Sequence, residues 1–373
     1  MHSNLLKLGW NDKFHQSLDS SDFPQAIPAR IIREDRGQYT IHTGDNTAPA
    51  QLSGSFMNAA QSQLDYPTVG DWVLLQPMES NNGFLVTGML DRNSLFMRQS
   101  AGKTSDDQLL AANIDYLFII SGLDLDFNPR RIQRYLSLVY NSGAQPVIIL
   151  NKSDLVDDQD QILEQLSSQI PDAPIHAISA LYQHGIEGLE QYLIPGTTIA
   201  LSGSSGAGKS SLINALLDEQ RLKTQANRED DNRGRHTTTW RELIMLENGT
   251  CIIDLPGMRE LQLTGDEAGV SKTFADIKSI SQQCRFRNCR HEGEPGCAVQ
   301  EALETGELSL ERYSQFTKLS QENAIARKRG KKKVVQKKRV SNKYAEKESF
   351  FKDVSIQFRK NNKAKRKYNL DGY

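Results

Sequence analysis

Residues 201–216, LSGSSGAGKSSLINAL, restrict the fold of this chain more than any other stretch. Gly203, Gly208, Lys209 and Ser210 match the spacing G-x-x-x-x-G-K-[ST]. The apolar run TTIAL precedes the match, and the segment SSLINALL follows it with apolar residues on one helical face. The stretch therefore predicts a strand, a loop that wraps a phosphate and a helix, which together form a unit of an α/β sheet.

The loop residues are of the types that bind a nucleoside triphosphate. Glycines let successive backbone N–H groups approach a phosphate. We expect Lys209 to reach the β- and γ-phosphates and the Ser210 hydroxyl to bind Mg²⁺. The candidate nucleotide-binding residues of the loop are Gly203, Ser204, Ser205, Gly206, Ala207, Gly208, Lys209, Ser210 and Ser211.

A second motif indicates which base is bound. Asn151, Lys152, Ser153 and Asp154 form N-K-x-D directly after the apolar run PVIIL. An Asp carboxylate in this position accepts hydrogen bonds from N1–H and the 2-amino group of guanine, a pattern that adenine does not offer. Ser179 and Ala180 follow the next apolar run, and we expect them to back the base with a backbone N–H.

The remaining motif, D-x-x-G, ends the apolar run TCIIDL. We expect Asp254 to hold Mg²⁺ through water and the Gly257 N–H to contact the γ-phosphate. Between the phosphate loop and D-x-x-G lies GRHTTT, residues 234–239, where a switch segment should supply a threonine ligand to Mg²⁺. The sequence does not separate Thr237, Thr238 and Thr239; we assign the role to Thr238.

Hydrolysis needs a group that orients the attacking water. The position after D-x-x-G, where a glutamine performs this role in Ras, holds Met258, whose thioether cannot. His236 in the switch segment is the candidate catalytic residue, because a neutral imidazole accepts a hydrogen bond from water. The alternative is that His236 only anchors the switch loop or contacts RNA.

The motif order is circularly permuted. The base motif comes first, and the phosphate loop, switch and D-x-x-G follow, whereas an ordinary small GTPase begins with the phosphate loop. Short apolar runs that alternate with helix-like segments predict a parallel α/β sheet over residues 107–264. Alternating strands over 29–100 predict a small β-barrel, with an oligonucleotide-binding (OB) barrel as one candidate. The polar residues 1–28 predict a flexible N-terminus.

Three of the four cysteines lie in one segment after the α/β region. Cys284, Cys289, His291 and Cys297 read C-x4-C-x-H-x5-C, and three thiolates with one imidazole suit a closed structural Zn²⁺ site. Residues 265–326 are therefore predicted to be a mostly helical zinc-binding domain. Nearby arginines and a phenylalanine suggest that this domain contacts RNA; they are Arg285, Phe286, Arg287 and Arg290.

The C-terminal residues 327–373 form a basic tail with 18 Lys or Arg against 4 Asp or Glu, although the whole chain has a net charge of −1. A basic tail on an acidic body favours a polyanionic partner such as RNA; the alternative is a solvated, disordered tail. No apolar run approaches the ~20 residues of a membrane helix, and the first residues lack a signal-peptide pattern. We therefore expect a cytoplasmic protein without a membrane partner.

Taken together, the permuted order, GRHTTT, DLPG, the preceding β-domain and the Cys/His cluster resemble the RsgA (YjeQ) family of ribosome small-subunit-dependent GTPases over residues 29–320. The resemblance implies an N-terminal OB barrel, a permuted GTPase domain and a C-terminal zinc domain. It also implies a role late in 30S subunit assembly, with contact to 16S rRNA, hydrolysis of GTP to GDP that the ribosome stimulates, and release in the GDP form. We expect a monomer. The long basic tail is less typical of the family.

Two other functions remain open from the residues. One is an RNA-binding assembly scaffold that uses GTP as a structural or switch ligand, with Met258 marking lost catalysis. The other is an ATP-driven nucleic-acid enzyme, against which Asn151 and Asp154 argue.

Overall fold

The computed structural model describes residues 3–35, 37–78, 83–99, 107–125, 127–217, 241–255 and 266–328. These residues form a β-barrel, a six-stranded sheet with helices, and a helical C-terminal region that carries the Cys/His cluster. The predicted multidomain fold class is confirmed. Within the described ranges, no helix is both long and apolar enough to span a bilayer.

The N-terminal residues differ from the prediction of a flexible segment over 1–28. They form helix α1 (Ser3–Leu6) and helix α2 (Asp12–Asp19). The side chain of Asn11 caps α2, where it accepts hydrogen bonds from the N–H groups of Lys13 and Phe14. The prediction is wrong because a polar composition conceals apolar side chains that pack into the main core; these are Leu5, Leu8, Trp10, Phe14 and Leu18.

The β-barrel is closed by five strands. They are β1 (Ile27–Asp35), β2 (Gln38–His42), β3 (Thr47–Leu52), β4 (Trp72–Pro77) and β5 (Phe84–Met89), in the order β1-β2-β3-β5-β4. The β3–β5 pair is parallel and the others are antiparallel. Helix α3 (Gly54–Ala59) connects β3 to β4. Apolar side chains fill the barrel, as the alternating pattern of the sequence predicts.

An antiparallel ribbon of β6 (Leu95–Gln99) and β7 (Asp107–Ala112) follows the barrel, with β6 at the end of the first predicted domain and β7 at the start of the second. Arg30 links three parts of the chain through hydrogen bonds. Its buried guanidinium donates to the carbonyls of Gly70, Asn113 and Leu8, which belong to the barrel, the start of the sheet region and the N-terminal segment. Burial lowers the pKa of Arg30, against the opposing effect of Cys251 and two carboxylates.

The central sheet has the order β10-β9-β8-β11-β13-β12. Its strands are β8 (Tyr116–Gly122), β9 (Gln145–Asn151), β10 (Ile175–Ala177), β11 (Thr198–Gly203), β12 (Leu243–Met245) and β13 (Cys251–Asp254). Only the β12–β13 pair is antiparallel. Helices α4 (Pro129–Ser142), α5 (Gln159–Gln169) and α6 (Lys209–Leu217) lie between the strands in sequence. Because the other five strands are parallel, the loops that follow them share one edge, and this edge carries N-K-x-D, Ser179 with Ala180, the phosphate loop and Asp254 at the end of β13.

The C-terminal region begins with helices α7 (Glu267–Thr273), α8 (Ala275–Ser281) and α9 (Ala298–Thr305), and residues 310–328 are also helical. It packs against α4, where a Cβ on Gly269 would lie 2.0 Å from the Ser137 carbonyl oxygen. Arg312 fastens the helices to one another: it donates to both oxygens of Asp276 at 3.0 and 2.9 Å and to the carbonyl of Thr273 at 2.8 Å.

Candidate nucleotide site and metal centre

At two positions of the phosphate loop, a residue larger than glycine would clash with a neighbouring strand or side chain. Strand β11 ends at Gly203, where a Cβ would lie 2.2 Å from the Ile120 carbonyl oxygen of the neighbouring strand. Gly208 adopts φ +93°, and a Cβ there would lie 2.0 Å from the side-chain Nδ2 of Asn151. Helix α6 then begins at Lys209. The loop residues 203–211 thus have the strand–loop–helix geometry that the motif predicts.

Lys209 and Asp254 bring opposite formal charges to the phosphate loop. The Lys209 Nζ donates to the carbonyl oxygens of Gly203 and Ser204 at 3.1 and 3.0 Å, so it lies over the loop. Asp254, which is 8% exposed, ends β13 beside β11, and its backbone pairs with Leu201. The Ser210 hydroxyl and the Asp254 carboxylate are hard oxygen donors of the kind that Mg²⁺ prefers, so the residues present fit this ion.

Asn151 joins the base motif to the phosphate loop. It is 3% exposed, its Nδ2 donates to the Ala207 carbonyl at 2.9 Å, and its Oδ1 accepts from the Ala180 N–H at 3.0 Å. One side chain therefore bonds to two loops that follow other strands of the sheet. These two hydrogen bonds require β9 to lie near both β10 and β11, and the order of strands in the sheet meets this requirement.

The Asp154 carboxylate, which we predict to read the base, is also held in place. The Ser179 hydroxyl donates to Asp154 Oδ1 at 2.5 Å, and Asp154 itself is exposed at the edge of the sheet. We expected Ser179 and Ala180 to offer a backbone N–H to the base. In the structure, the N–H of Ser179 donates to the His184 carbonyl and the N–H of Ala180 donates to Asn151 Oδ1. Ser179 thus orients Asp154 through its side chain.

Lys152 and Ser153 complete the base motif. Lys152 adopts the left-handed conformation with φ +65°, and its ammonium pairs with Asp124 at 2.5 Å. The Ser153 N–H donates to the Ile178 carbonyl at 3.0 Å, which ties this loop to the one that carries Ser179. Asp124 belongs to no motif that the sequence analysis identified.

Three predicted site residues lie outside the described part of the chain. These are His236, Thr238 and Gly257, and their assigned roles stay predictions. Met258 and the basic tail beyond residue 328 lie outside it as well.

The four predicted metal ligands do converge. The ligand atoms of Cys284, Cys289, His291 and Cys297 all lie within 4.8 Å of one another. The His291 Nδ1 is 3.4 Å from the Cys297 sulfur and 3.6 Å from the Cys284 sulfur, and those two sulfurs are 4.0 Å apart. A tetrahedral Zn²⁺ site with Zn–S bonds of about 2.3 Å has sulfur–sulfur edges of about 3.8 Å. The donor set and its spacing fit a structural zinc ion.

Polar groups around the cluster support its ligands. Burial raises the pKa of the Cys284 thiol, but the backbone N–H groups of Val299 and Ala298 outweigh that effect and leave its pKa lowered. The Glu294 carboxylate accepts from the N–H groups of Arg290 and Glu292 at 2.7 and 2.8 Å, and backbone hydrogen bonds lower its pKa to about 2.

Gln300 adds a further contact from α9, where its Nε2 donates to the His291 carbonyl at 2.6 Å. The sequence reasoning missed Glu294 and Gln300. Their role follows from the folded turn and not from spacing, so no motif could have identified them.

The ends of the parallel strands carry a phosphate loop, an N-K-x-D motif and an aspartate beside the loop. This combination is typical of nucleotide-binding proteins of the P-loop GTPase class. The family model described as RsgA GTPase matches residues 89–264. Curated relatives match most of the chain. Small ribosomal subunit biogenesis GTPase RsgA 2 of Vibrio parahaemolyticus is 43% identical over 324 residues, 87% of each chain. RsgA 1 of Oceanobacillus iheyensis is 42% identical over 334 residues, 89% of this chain and 93% of the relative.

Solved structures agree. YjeQ from Thermotoga maritima has a TM-score of 0.59 and 26% identity, and the match covers 79% of this chain and 98% of that one. YloQ, described as a circularly permuted GTPase, has a TM-score of 0.57, with 80% of this chain and 95% of that one covered; at 22% identity it supports the fold. This chain belongs to the RsgA GTPase family, and it is a GTPase.

Proposed function

We propose that this chain acts in biogenesis of the small ribosomal subunit, where it binds GTP, docks on the 30S particle and hydrolyses GTP to GDP and phosphate. The observation that carries the nucleotide part is the position of Asn151, whose amide bonds to both Ala207 and Ala180. The assembly part is supported by relatives that carry small ribosomal subunit biogenesis in their names.

In this proposal each described loop has one task. The Asp154 carboxylate reads N1–H and the 2-amino group of guanine, and Ser179 fixes its direction. Backbone N–H groups of the phosphate loop and the Lys209 ammonium bind the phosphates. The pairing between Asn151 and Ala207 keeps base and phosphate subsites at a constant separation.

Hydrolysis depends on groups that we assign from the sequence. Ser210 and Asp254, with Thr238, would hold Mg²⁺, which neutralises charge on the β- and γ-phosphate oxygens when bound. We assign Gly257 to the γ-phosphate and His236 to orientation of the attacking water. Because Met258 cannot orient water, we expect slow hydrolysis in isolation and faster hydrolysis on the ribosome.

The rest of the molecule would recognise 16S rRNA. We propose that Cys284, Cys289, His291 and Cys297 hold one Zn²⁺, which stiffens a turn rich in arginine. The barrel, this turn and the basic tail would contact RNA, and the protein would act as a monomer. RNA binding through Lys and Arg should weaken steeply as salt rises.

Steady-state GTP turnover of the purified protein, alone and with 30S or 50S subunits, tests the proposal. Stimulation by 30S alone is expected, and His236→Ala should abolish it while GDP affinity stays unchanged. GTP binding without turnover in any mixture would favour the RNA-binding scaffold and remove the catalytic role from His236.

A further inference from the structure

Asp124 lies beside the base-recognition loop. Strands β8 and β9 pair through Gly122 and Asn151, and the Leu123 N–H donates to the Asn151 carbonyl at 2.8 Å. These bonds bring the loop after β8 against the loop after β9. Asp124 Oδ2 then accepts from the Lys152 ammonium at 2.5 Å.

The local backbone favours this ion pair. Lys152 is held at φ +65° between two backbone hydrogen bonds, those of the Asn151 carbonyl and the Ser153 N–H. Gly122 leaves room for the acid, because a Cβ there would lie 3.0 Å from an Asp124 carboxylate oxygen. The side chains are 31% and 29% exposed, so water screens the pair less than it would on an open surface.

We propose that Asp124 is a positioning residue for the guanine base. It holds the Lys152 ammonium so that the aliphatic stem forms one wall of the base site, while Asp154 reads the edge of the ring. A lysine side chain samples many rotamers when unrestrained, and ordering it before the nucleotide arrives lowers the entropic cost of binding. This inference rests on the proposed guanine site and adds a residue to it.

The test compares the affinities of GDP and inosine diphosphate, which lacks the 2-amino group. Asp124→Asn should weaken both nucleotides by the same factor, about threefold to fivefold for a partly exposed ion pair. Asp124→Glu should recover most of that loss. The matched control is Asp160→Asn, which removes an exposed carboxylate at the start of α5 and should change neither affinity.

A double-mutant cycle separates positioning from a general electrostatic effect. Lys152→Met removes the ammonium but keeps an apolar stem, and adding Asp124→Asn to it should cause no further loss. Asp124→Ser serves as a second neutral variant, so that a folding defect of one substitution does not decide the result. Wild-type affinity in both neutral variants, unequal losses for the two nucleotides, or additive losses in the cycle would overturn the proposal.

The wild-type protein supplies the separate test of the underlying site. It should prefer GDP over inosine diphosphate and over ADP. If that preference is absent, the proposed guanine site fails. If it is present and both neutral Asp124 variants bind normally, only the role of Asp124 fails.

Discussion

The four side chains that could hold a metal ion come from residues 284–297, whereas Asn151 and Ala207 of the candidate nucleotide site lie 56 residues apart in sequence. The first site is a local turn that a metal ion can close. The second exists only because the sheet brings the ends of β9, β10 and β11 together. Loss of a metal ligand should therefore disrupt the Cys/His cluster, and loss of a hydrogen bond between loops should disrupt the nucleotide site.

The metal centre tests the local site. Cys289→Ser should lower zinc from about one ion per chain by at least tenfold, because a structural site loses one of four ligands. Metal analysis and GDP titration should show that GDP affinity changes by less than about twofold. Cys251→Ala is the matched control, since this buried cysteine lies outside the cluster and should leave zinc unchanged. A large loss of GDP affinity in Cys289→Ser would show that the two sites are not independent.

Loss of the phosphate-loop ammonium should have the largest effect on activity. Lys209→Ala should lower GTP turnover by about 10²–10³, the usual cost of removing one preorganised electrostatic group. Turnover should be measured beside Lys278→Ala, which removes an exposed lysine of α8. A fall of less than about fivefold, or an equal fall in the control, would exclude Lys209 from phosphate binding.

Breaking the link between the loops should have an intermediate effect. Asn151→Ala leaves the Ala180 N–H and the Ala207 carbonyl without this partner, so the free energy of unfolding should fall by about 2–4 kcal/mol. GDP affinity should fall about 30-fold, a loss of about 2 kcal/mol. Denaturant unfolding and GDP titration measure the two quantities.

Asn248 is the control for that variant. It also makes two side-chain hydrogen bonds, to Leu193 and Thr250, near the start of β13 and away from the motif loops. Asn248→Ala should reduce stability and spare GDP affinity. Equal losses of affinity in the two variants would mean that Asn151 matters only through stability.

The smallest effect is expected for the residue that orients Asp154. Ser179→Ala should weaken GDP about fivefold and reduce the preference for GDP over inosine diphosphate, because the carboxylate loses one hydrogen-bond donor. Ser168→Ala, on the exposed face of α5, is the control. Unchanged preference would remove Ser179 from base recognition.

The nucleotide motifs could be read from the sequence because each motif is formed by a few neighbouring residues. The same is true of the metal ligands, which lie within one turn. The contacts of Asp124, Glu294 and Gln300 could not be predicted. A single carboxylate or amide gives no pattern, and its partner is determined only when loops meet in the folded chain.

The N-terminal segment and strand β3 show how sequence composition can hide structure. The N-terminal segment carried a usable signal, since Phe14 and Leu18 lie four residues apart in the helix that Asn11 caps and Trp10 directly precedes this cap. Strand β3 carries a weaker signal, because only Ala50 of its residues is buried and Pro49 weakens the strand pattern. In both places average composition hid a few side chains that pack well.

Competition of GTP and ATP for the purified apo protein tests the central claim most directly. The account predicts that GTP displaces a fluorescent GDP analogue at concentrations at least about 100-fold below those that ATP needs, because adenine leaves Asp154 unpaired. Equal displacement by ATP would contradict the guanine assignment and with it the joining of base and phosphate loops through Asn151.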